Sequence, residues 1–298
     1  MKPTAPDLRA TAQPSPGRPP RHARAPRVPS LCPIAENPRE AGTMDPVLPD
    51  NSPAIEVRDL RKLYGNKAAV DGLTLRVERG CFFGFLGPNG AGKTTTIRML
   101  MGLAPATSGE IRILGHEMPA DSLAIKSKIG LVPDDTLLFD QLTGGEFLEF
   151  VGRMYLLDRG VARERARELL GLFELSDQRQ LIGEYSKGMR KRVAMAAALI
   201  HRPELFLMDE PFEGVDAVGA RLMKEILIEQ VRQGATVFLT SHVLEVVERL
   251  CDRVAIIHEG RLVVEGLMSD LRTGSETLED IFVRVVGAEH PVERLEWL

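Results

Sequence analysis

Cysteine and long hydrophobic runs are scarce in this chain of 298 residues. The 3 cysteines are scattered and give neither a disulfide framework nor the paired spacing of a zinc site, so the composition favours a reducing cytosol. The longest uninterrupted apolar run spans residues 193–200, whereas a membrane-spanning helix needs about 20 apolar residues. We therefore expect no transmembrane segment, and work at a membrane would require a partner that supplies the spans.

A basic net charge is also lacking. The chain has 38 lysines and arginines against 42 aspartates and glutamates, which gives a formal net charge of −4. This balance does not favour a general affinity for nucleic acid or for anionic lipid. Hydrophobic residues make up 44% of the chain and charged residues 27%, as is typical of a globular protein.

Residues 1–53 differ from the rest, because they hold 13 of the 20 prolines and few hydrophobic side chains. We predict a disordered, proline- and arginine-rich arm. The arm has no apolar segment of the kind that a secretory signal needs. Its arginine-rich start is typical of a transit peptide, but the prolines would interrupt the amphipathic helix of such a peptide. Another interpretation is that translation starts at Met44.

From residue 54 onward, short apolar runs alternate with segments of helical spacing. The pattern predicts strands at residues 54–57, 73–77, 82–86, 111–114, 129–132, 205–208, 237–240 and 254–257. It predicts helices at residues 94–101, 145–157, 161–175, 186–200, 218–231 and 244–250. Such alternation indicates an α/β domain with a largely parallel sheet, here residues 54–272, followed by a C-terminal extension at 273–298. Residues 140–183 contain only helical patterns and are predicted to form an insert.

A glycine-rich segment lies between the predicted strand at 82–86 and the predicted helix at 94–101. It fits the pattern G-x-x-x-x-G-K-[ST] with Gly87, Pro88, Asn89, Gly90, Ala91, Gly92, Lys93 and Thr94. In such a loop the backbone N–H groups and the helix N-terminus face phosphate oxygens. Lys93 would reach the β- and γ-phosphates, and the Thr94 hydroxyl would bind Mg²⁺. The motif predicts a nucleotide site but does not distinguish a kinase, a GTPase and a motor.

Two carboxylates, Asp209 and Glu210, directly follow the predicted strand at 205–208. Ligands of open parallel sheets lie beyond the C-terminal ends of the strands, so we expect Asp209 near Thr94, where it would help to hold Mg²⁺. Glu210 would polarise the attacking water as a general base.

Between these two motifs, residues 185–192 read YSKGMRKR. This segment resembles the signature motif, usually L-S-G-G-Q, of the ATP-binding cassette (ABC) ATPases. The order of the motifs also resembles that family: phosphate loop, helical insert, signature, acidic strand end, then Ser241 and His242 after the next strand. The resemblance covers about residues 55–266, and in detail it is similar to the cassettes that serve multidrug, polysaccharide or sodium exporters.

The resemblance implies roles for further residues in the site of the same subunit. Tyr64 matches the aromatic residue that stacks on adenine, and Thr95 extends the phosphate loop. His242 matches the switch histidine that touches the γ-phosphate, so the implied catalytic residues are Glu210, His242 and Lys93.

Other residues are implied to act across a head-to-tail dimer. Ser186 and Gly188 of the signature would contact the γ-phosphate held by the second subunit, and Asp216 matches the D-loop at the dimer seam. Ser186 and Asp216 are also suitable N-caps of the helices that follow them.

The sequence departs from the family pattern at the nucleotide site. Asp134 occupies the position where the family usually has the glutamine of the Q-loop, and it remains a candidate Mg²⁺ ligand. Lys187 and Met189 replace the usual glycine and glutamine of the signature, and Lys187 would either face the γ-phosphate or point to solvent. The basic run at residues 190–192 fans around a helix, which favours a solvated face over a nucleic-acid site.

The resemblance implies an α/β P-loop fold with a mixed sheet, an antiparallel β-subdomain and a helical insert. It implies an ATP-hydrolysing subunit of an exporter, with ATP and Mg²⁺ as cofactors. This subunit would form a homodimer or heterodimer and bind a separate permease at the cytoplasmic face of the cell membrane, with no nucleic-acid partner. The alternative function is a soluble ABC ATPase in a nucleic-acid or ribosome-associated process, although such proteins usually carry two cassettes, a long coiled coil or zinc cysteines. A metabolic P-loop kinase would leave the signature-like segment and His242 unexplained.

Overall fold

The computed structural model describes residues 52–136, 138–175, 179–272 and 276–287. Residues 1–51 of the predicted arm lie outside this range, as do 273–275 and 288–298 of the predicted C-terminal extension. No helix of the described part is long and apolar enough to cross a membrane.

Strands and helices alternate along the described residues. The strands are β1 (Ile55–Tyr64), β2 (Lys67–Val77), β3 (Phe82–Leu86), β4 (Ser108–Ile113), β5 (His116–Met118), β6 (Ile129–Val132), β7 (Leu205–Asp209), β8 (Thr236–Ser241), β9 (Arg253–His258) and β10 (Arg261–Leu267). The helices are α1 (Lys93–Leu100), α2 (Ser122–Lys126), α3 (Gly144–Met154), α4 (Arg159–Leu172), α5 (Lys187–Leu199), α6 (Ala217–Arg232), α7 (Leu244–Leu250), α8 (Met268–Leu271) and α9 (Leu278–Val286).

The strands form two sheets. An antiparallel sheet has the order β2-β1-β4-β5, and the central sheet has the order β10-β9-β3-β8-β7-β6. The central sheet is parallel except for β10, which runs antiparallel to β9. The predicted α/β fold with a mixed sheet and an antiparallel subdomain is thereby confirmed.

Apart from its edge strand β10, the central sheet is buried on both faces, which explains its continuous apolar strands. In β3, Phe83 and Phe85 pack towards the antiparallel sheet, α1 and α2, whereas Phe82 and Leu86 pack towards helices α3 to α9. The ring of Phe238 on β8 stacks on Phe83 with centroids 5.7 Å apart. Side chains of successive strand residues therefore serve two separate cores.

The helical insert consists of α3 and α4, which pack against each other and against α5. Thr143 begins α3 with a capping box, in which its hydroxyl accepts from the N–H of Glu146 and its own N–H donates to the Glu146 carboxylate. Both helices lie within residues 140–183, where the sequence predicts an insert.

Helix α9 lies in the predicted C-terminal extension and packs against α7. Its residues Leu278 and Ile281 are buried in the core shared with the central sheet. A salt bridge of 3.2 Å between Arg272 and Glu248 joins the preceding segment to α7.

The element boundaries differ from the predictions in the antiparallel sheet. The predicted strands at residues 54–57 and 73–77 are the apolar parts of longer strands, β1 and β2, because this hairpin continues as an exposed ladder with charged side chains. Strands β5 and β10 were not predicted, because the first is short and the second has no fully buried residue.

Candidate active site

The phosphate loop connects β3 to α1 and has a backbone that only glycine accommodates at several positions. Gly90 and Gly92 have φ angles of 80° and 112°, in the left-handed region. A Cβ atom at Gly92 would lie 2.5 Å from the carbonyl oxygen of Ala69, and one at Gly87 would lie 2.3 Å from that of Ile257. The packing of this loop against β2 and β9 therefore requires glycine.

Lys93 is the first residue of α1, and it is buried with 7% exposure. Its ammonium donates to the carbonyl oxygens of Gly87 at 2.6 Å and Pro88 at 3.2 Å. Burial lowers the pKa of Lys93, and the nearby carboxylates of Glu210, Asp209 and Asp134 oppose that shift. The ammonium is thus held at the loop, close to three acidic side chains.

A cavity of about 170 Å³ opens in front of the loop. It is lined by Ala69, Pro88, Asn89, Gly90, Gly92, Lys93, Thr94, Thr95, Asp134, Asp209 and Glu210. The predicted metal ligands Thr94, Asp209 and Asp134 therefore face one space.

These three side chains offer a hydroxyl and two carboxylates, which are the oxygen ligands that Mg²⁺ prefers. Among the described residues, no group of three or more His, Cys, Asp or Glu side chains is arranged to hold a metal by itself. Mg²⁺ characteristically uses one or two carboxylates together with substrate phosphates, so the donor set fits this ion.

The ends of β7 and β8 are aligned so that Asp209 pairs with Thr240. The Thr240 hydroxyl donates to Asp209 Oδ1 at 2.5 Å, and the amide of Glu210 donates to the Thr240 carbonyl at 3.2 Å. Glu210 has a φ of 47°, which is an uncommon value for a residue with a side chain. Backbone strain of this kind is concentrated at functional sites.

His242 follows β8 and contacts Glu210 through two atoms. Its Nδ1 lies 2.9 Å from Glu210 Oε2, and its backbone N–H donates to the same oxygen at 3.2 Å. The Glu210 side chain is 11% exposed and that of His242 is 52% exposed. The imidazole thus fixes a largely buried carboxylate and remains accessible to a ligand.

Ser186, Gly188 and Asp216 do not line this cavity and form a second group at the starts of α5 and α6. The Ser186 hydroxyl accepts from the amide of Met189 at 3.2 Å, and Asp216 Oδ1 accepts from that of Gly219 at 2.9 Å. The bond from Gly219 also lowers the pKa of Asp216. Both residues are N-caps, as their types predict.

Lys187 joins the two loops of this second group. Its ammonium lies 2.7 Å from the Glu213 carboxylate, and its aliphatic chain covers Gly214. The hydrogen bond to Glu213 raises the pKa of Lys187. In this structure Lys187 therefore bonds to a carboxylate of its own chain, which neither sequence alternative included.

Tyr64 is the last residue of β1, is 51% exposed and is not among the residues that line the cavity. The Lys62 ammonium lies 4.9 Å from the centre of its ring. The ring is thus available for stacking, but its partner in this structure is a lysine.

Two residues near the site, Thr240 and Lys191, were not predicted from the sequence. Thr240 gave no signal because it is an ordinary polar end of an apolar strand. The solvated face expected for residues 190–192 is wrong for Lys191, whose side chain is only 1% exposed. The three basic side chains do diverge, since Arg190 contacts Asp140 and Arg192 contacts the Phe173 carbonyl.

A larger open groove of about 500 Å³ lies elsewhere, beside β1, β2 and β10. Three of its charged side chains pair with one another, with Asp71 Oδ1 3.6 Å from Arg61 and Asp71 Oδ2 2.7 Å from Arg261. The groove contains none of the predicted site residues, so we place the active site at the phosphate loop.

The sheet order, the phosphate loop and the acidic strand end define a P-loop nucleoside triphosphatase.

The sequence profile of the ABC transporter family matches residues 70–213. The chain is 40% identical to the linearmycin resistance ATP-binding protein LnrL of Bacillus subtilis (strain 168), over 77% of this chain and 75% of that protein. It is 39% identical to the Nod factor export ATP-binding protein I of Paraburkholderia xenovorans (strain LB400), over 73% of this chain and 72% of that protein.

A solved structure is also similar to this chain: the dimeric post-hydrolysis state of the ATP-binding cassette MJ0796 bound to ADP and Pi. The TM-score is 0.67 at 25% identity, over 74% of this chain and 100% of that one. The chain belongs to the ABC transporter family, and it is an ATP-binding and ATP-hydrolysing subunit. These relatives do not support the alternative of a nucleic-acid or ribosome-associated ATPase.

Proposed function

We propose that this chain hydrolyses Mg²⁺-bound ATP to drive export through a separate membrane permease. The observation that supports export most directly is the 39% identity to a Nod factor export ATP-binding protein across 72% of its length. The site geometry supports the chemistry, because the phosphate loop and both carboxylates line one cavity and His242 contacts one of them.

The phosphate loop and its neighbours bind and orient the triphosphate. Lys93 exchanges its contacts with the loop carbonyls for the β- and γ-phosphates, which balances their negative charge. Thr94 and Asp209 would hold Mg²⁺, and Asp134, which lines the same cavity, would be a further ligand. When bound, the ion neutralises charge that develops on the phosphates. Thr240 keeps Asp209 in place by donating to Oδ1.

Glu210 is the candidate general base. Its carboxylate accepts a proton from the attacking water, while the contact with His242 fixes the position of Oε2. The exposed part of the imidazole is free to touch the γ-phosphate. Tyr64 presents an exposed ring on which adenine can stack.

A second subunit supplies the other side of the site. Ser186, Gly188 and Asp216 lie outside the cavity of their own chain, at the starts of helices of 13 and 16 residues. A helix N-terminus favours an anion, so this surface suits the γ-phosphate of another copy. The similarity to a dimeric cassette supports the same arrangement, as a homodimer or a heterodimer.

The permease would hold this dimer at the cytoplasmic face of the cell membrane, and opening after hydrolysis would move the permease. In this scheme residues 54–272 are the ATP-binding domain, with an arm before it and an extension after it that includes α9.

The proposal is tested by isolating the tagged chain from native membranes in mild detergent and identifying the proteins that accompany it. We expect a membrane protein with several spans, and in proteoliposomes it should stimulate ATP hydrolysis. Glu210→Gln in the same complex is the control, because it should assemble normally without hydrolysis. Stimulation by DNA or ribosomes, without any membrane partner, would overturn the export function.

A further inference from the structure

Lys191 is a buried lysine that the proposed chemistry does not use. It lies in the second turn of α5, and its side chain is 1% exposed. Its neighbours in the sequence turn away: Arg190 contacts Asp140, and Arg192 contacts the carbonyl of Phe173. Burying an ammonium without partners costs a large free energy, so the groups that contact Lys191 indicate its role.

The ammonium of Lys191 has three partners: it donates hydrogen bonds to two backbone carbonyls and forms an ion pair with one carboxylate. The carbonyl oxygen of Pro133 lies at 3.1 Å, that of Asp209 at 3.5 Å, and Asp134 Oδ1 at 3.6 Å. Pro133 and Asp134 directly follow β6, and Asp209 ends β7. A single side chain thus joins the two strand ends that carry the candidate metal carboxylates.

These contacts also balance charge at the cavity. Asp134 places a carboxylate beside a site for phosphates, where its charge is repulsive unless a cation offsets it. Lys191 supplies such a cation from the interior side, while 49% of the Asp134 side chain stays exposed. Burial lowers the pKa of Lys191, and the Asp134 carboxylate opposes that shift.

The competing explanation is that Lys191 and Asp134 form an ion pair that serves only the stability of the fold. Buried ion pairs contribute little to stability on average, so this explanation has weak support. The contacts argue against it, because all three partners belong to residues at or directly before the two candidate metal ligands. Loss of a side chain that orients a metal ligand typically lowers metal affinity or activity about 10- to 100-fold.

We propose that Lys191 is a positioning residue for the Mg²⁺–ATP site, which holds the ends of β6 and β7 together and orients Asp134 towards the metal. Lys191 does not itself touch nucleotide or metal. This inference rests on the proposed function, because it requires Asp134 and Asp209 to face Mg²⁺.

The test uses the full-length chain with three substitutions. Lys191→Met removes the charge and keeps the length of the side chain, and Lys191→Arg restores a cation. Arg190→Met is the matched control, because it breaks a neighbouring ion pair on the same helix, with Asp140, away from the cavity. Binding of the fluorescent analogue mant-ATP is measured in EDTA and during titration with Mg²⁺, and ATP hydrolysis is followed against Mg²⁺ concentration.

We expect Lys191→Met to raise the Mg²⁺ concentration for half-maximal mant-ATP binding and hydrolysis about tenfold, while binding in EDTA changes less than about threefold. Lys191→Arg should recover most of the loss, and Arg190→Met should match the wild type. An unchanged Mg²⁺ requirement, or the same rise in Arg190→Met, would overturn the proposal.

A double-mutant cycle covers the case in which Lys191→Met folds poorly. If Lys191 acts by orienting Asp134, then the double variant Lys191→Met, Asp134→Asn should need no more Mg²⁺ than Asp134→Asn alone. The double variant has neither the ammonium nor the carboxylate, so no buried charge is left without its partner. Additive effects would contradict the proposal. The proposed function has its own test, since normal hydrolysis by Glu210→Gln would refute that assignment whatever Lys191 does.

Discussion

Glu210 and His242 are joined twice, because Oε2 of the glutamate meets both the Nδ1 atom of the imidazole at 2.9 Å and the backbone N–H of the same residue at 3.2 Å. The two residues follow neighbouring parallel strands, β7 and β8. The orientation of the candidate base is thus set by the sheet and does not depend on a flexible loop.

Replacing Glu210 with glutamine should slow ATP hydrolysis at least about 100-fold, because an amide cannot accept the proton of the attacking water. ATP binding should persist, since the phosphate loop is untouched, and the bound ATP should favour a dimer. Single-turnover hydrolysis and gel filtration with ATP measure the two effects. Glu245→Gln on α7 changes an exposed carboxylate and should leave turnover normal. Near-normal turnover in Glu210→Gln would remove this residue from the chemistry.

Asp134→Asn should raise the Mg²⁺ concentration for half-maximal hydrolysis about tenfold. At about 4 Å and an effective dielectric constant of about 20, the Asp134 carboxylate would be attracted to one unit of metal charge by about 4 kcal/mol. One unit of phosphate charge at the same distance would repel it by the same amount. Mg²⁺ carries two charges and prefers a carboxylate to an amide, so attraction dominates when the metal is present. Binding of ATP without metal should change little or become tighter.

The neighbouring Asp135→Asn is the control for that substitution, because Asp135 is exposed and does not line the cavity. If Asp134→Asn and Asp135→Asn show the same Mg²⁺ dependence as the wild type, Asp134 is not a metal ligand.

His201 should make the fold sensitive to acid. It stacks on Tyr155 with ring centroids 3.6 Å apart, and burial lowers its pKa to about 4 from 6.5. The unfolded chain therefore takes up a proton near pH 6.5 that the folded chain refuses until about pH 4, so stability falls as the pH falls through this window. The loss attributable to His201 is about 2 kcal/mol between pH 7.5 and pH 5.

Urea unfolding at these two pH values measures the effect. His201→Gln keeps a donor for the carbonyl of Ile129, which His201 Nε2 contacts at 3.0 Å, but it cannot titrate. The variant should lose about 2 kcal/mol less than the wild type on acidification. Equal pH dependence in wild type and His201→Gln would contradict this prediction.

The proline-rich arm should contribute nothing to catalysis or stability. A chain that begins at Met44 should match the full-length chain in melting temperature and in turnover, because residues 1–43 have too few hydrophobic side chains to form a core. Calorimetry and a steady-state ATPase assay compare the two. A clear loss of either property in the shorter chain would show that the arm packs or regulates.

The sequence predicted the central sheet and its cavity because each signal there is local. Strands such as β3 and β7 are buried on both faces and read as apolar runs, and the phosphate loop is contiguous. Lys191 could not be found in this way, because no local sequence signal separates a buried lysine from an exposed one. Its burial follows from the packing of α5 against β6. Strand β10 was missed for a related reason, because it has no fully buried residue.

The pairing of Asp209 with Thr240 across β7 and β8 restricts which insertions and deletions homologous proteins can tolerate. A deletion inside β8 would bring Ser241 opposite Asp209 and would shift His242 by about 3.3 Å relative to Glu210. The deletion would also turn every following side chain of the strand to the other core. Insertions in exposed connections such as the one after α6 leave this alignment intact. Homologous chains should therefore vary in the length of their surface loops and keep these two strands free of insertions and deletions.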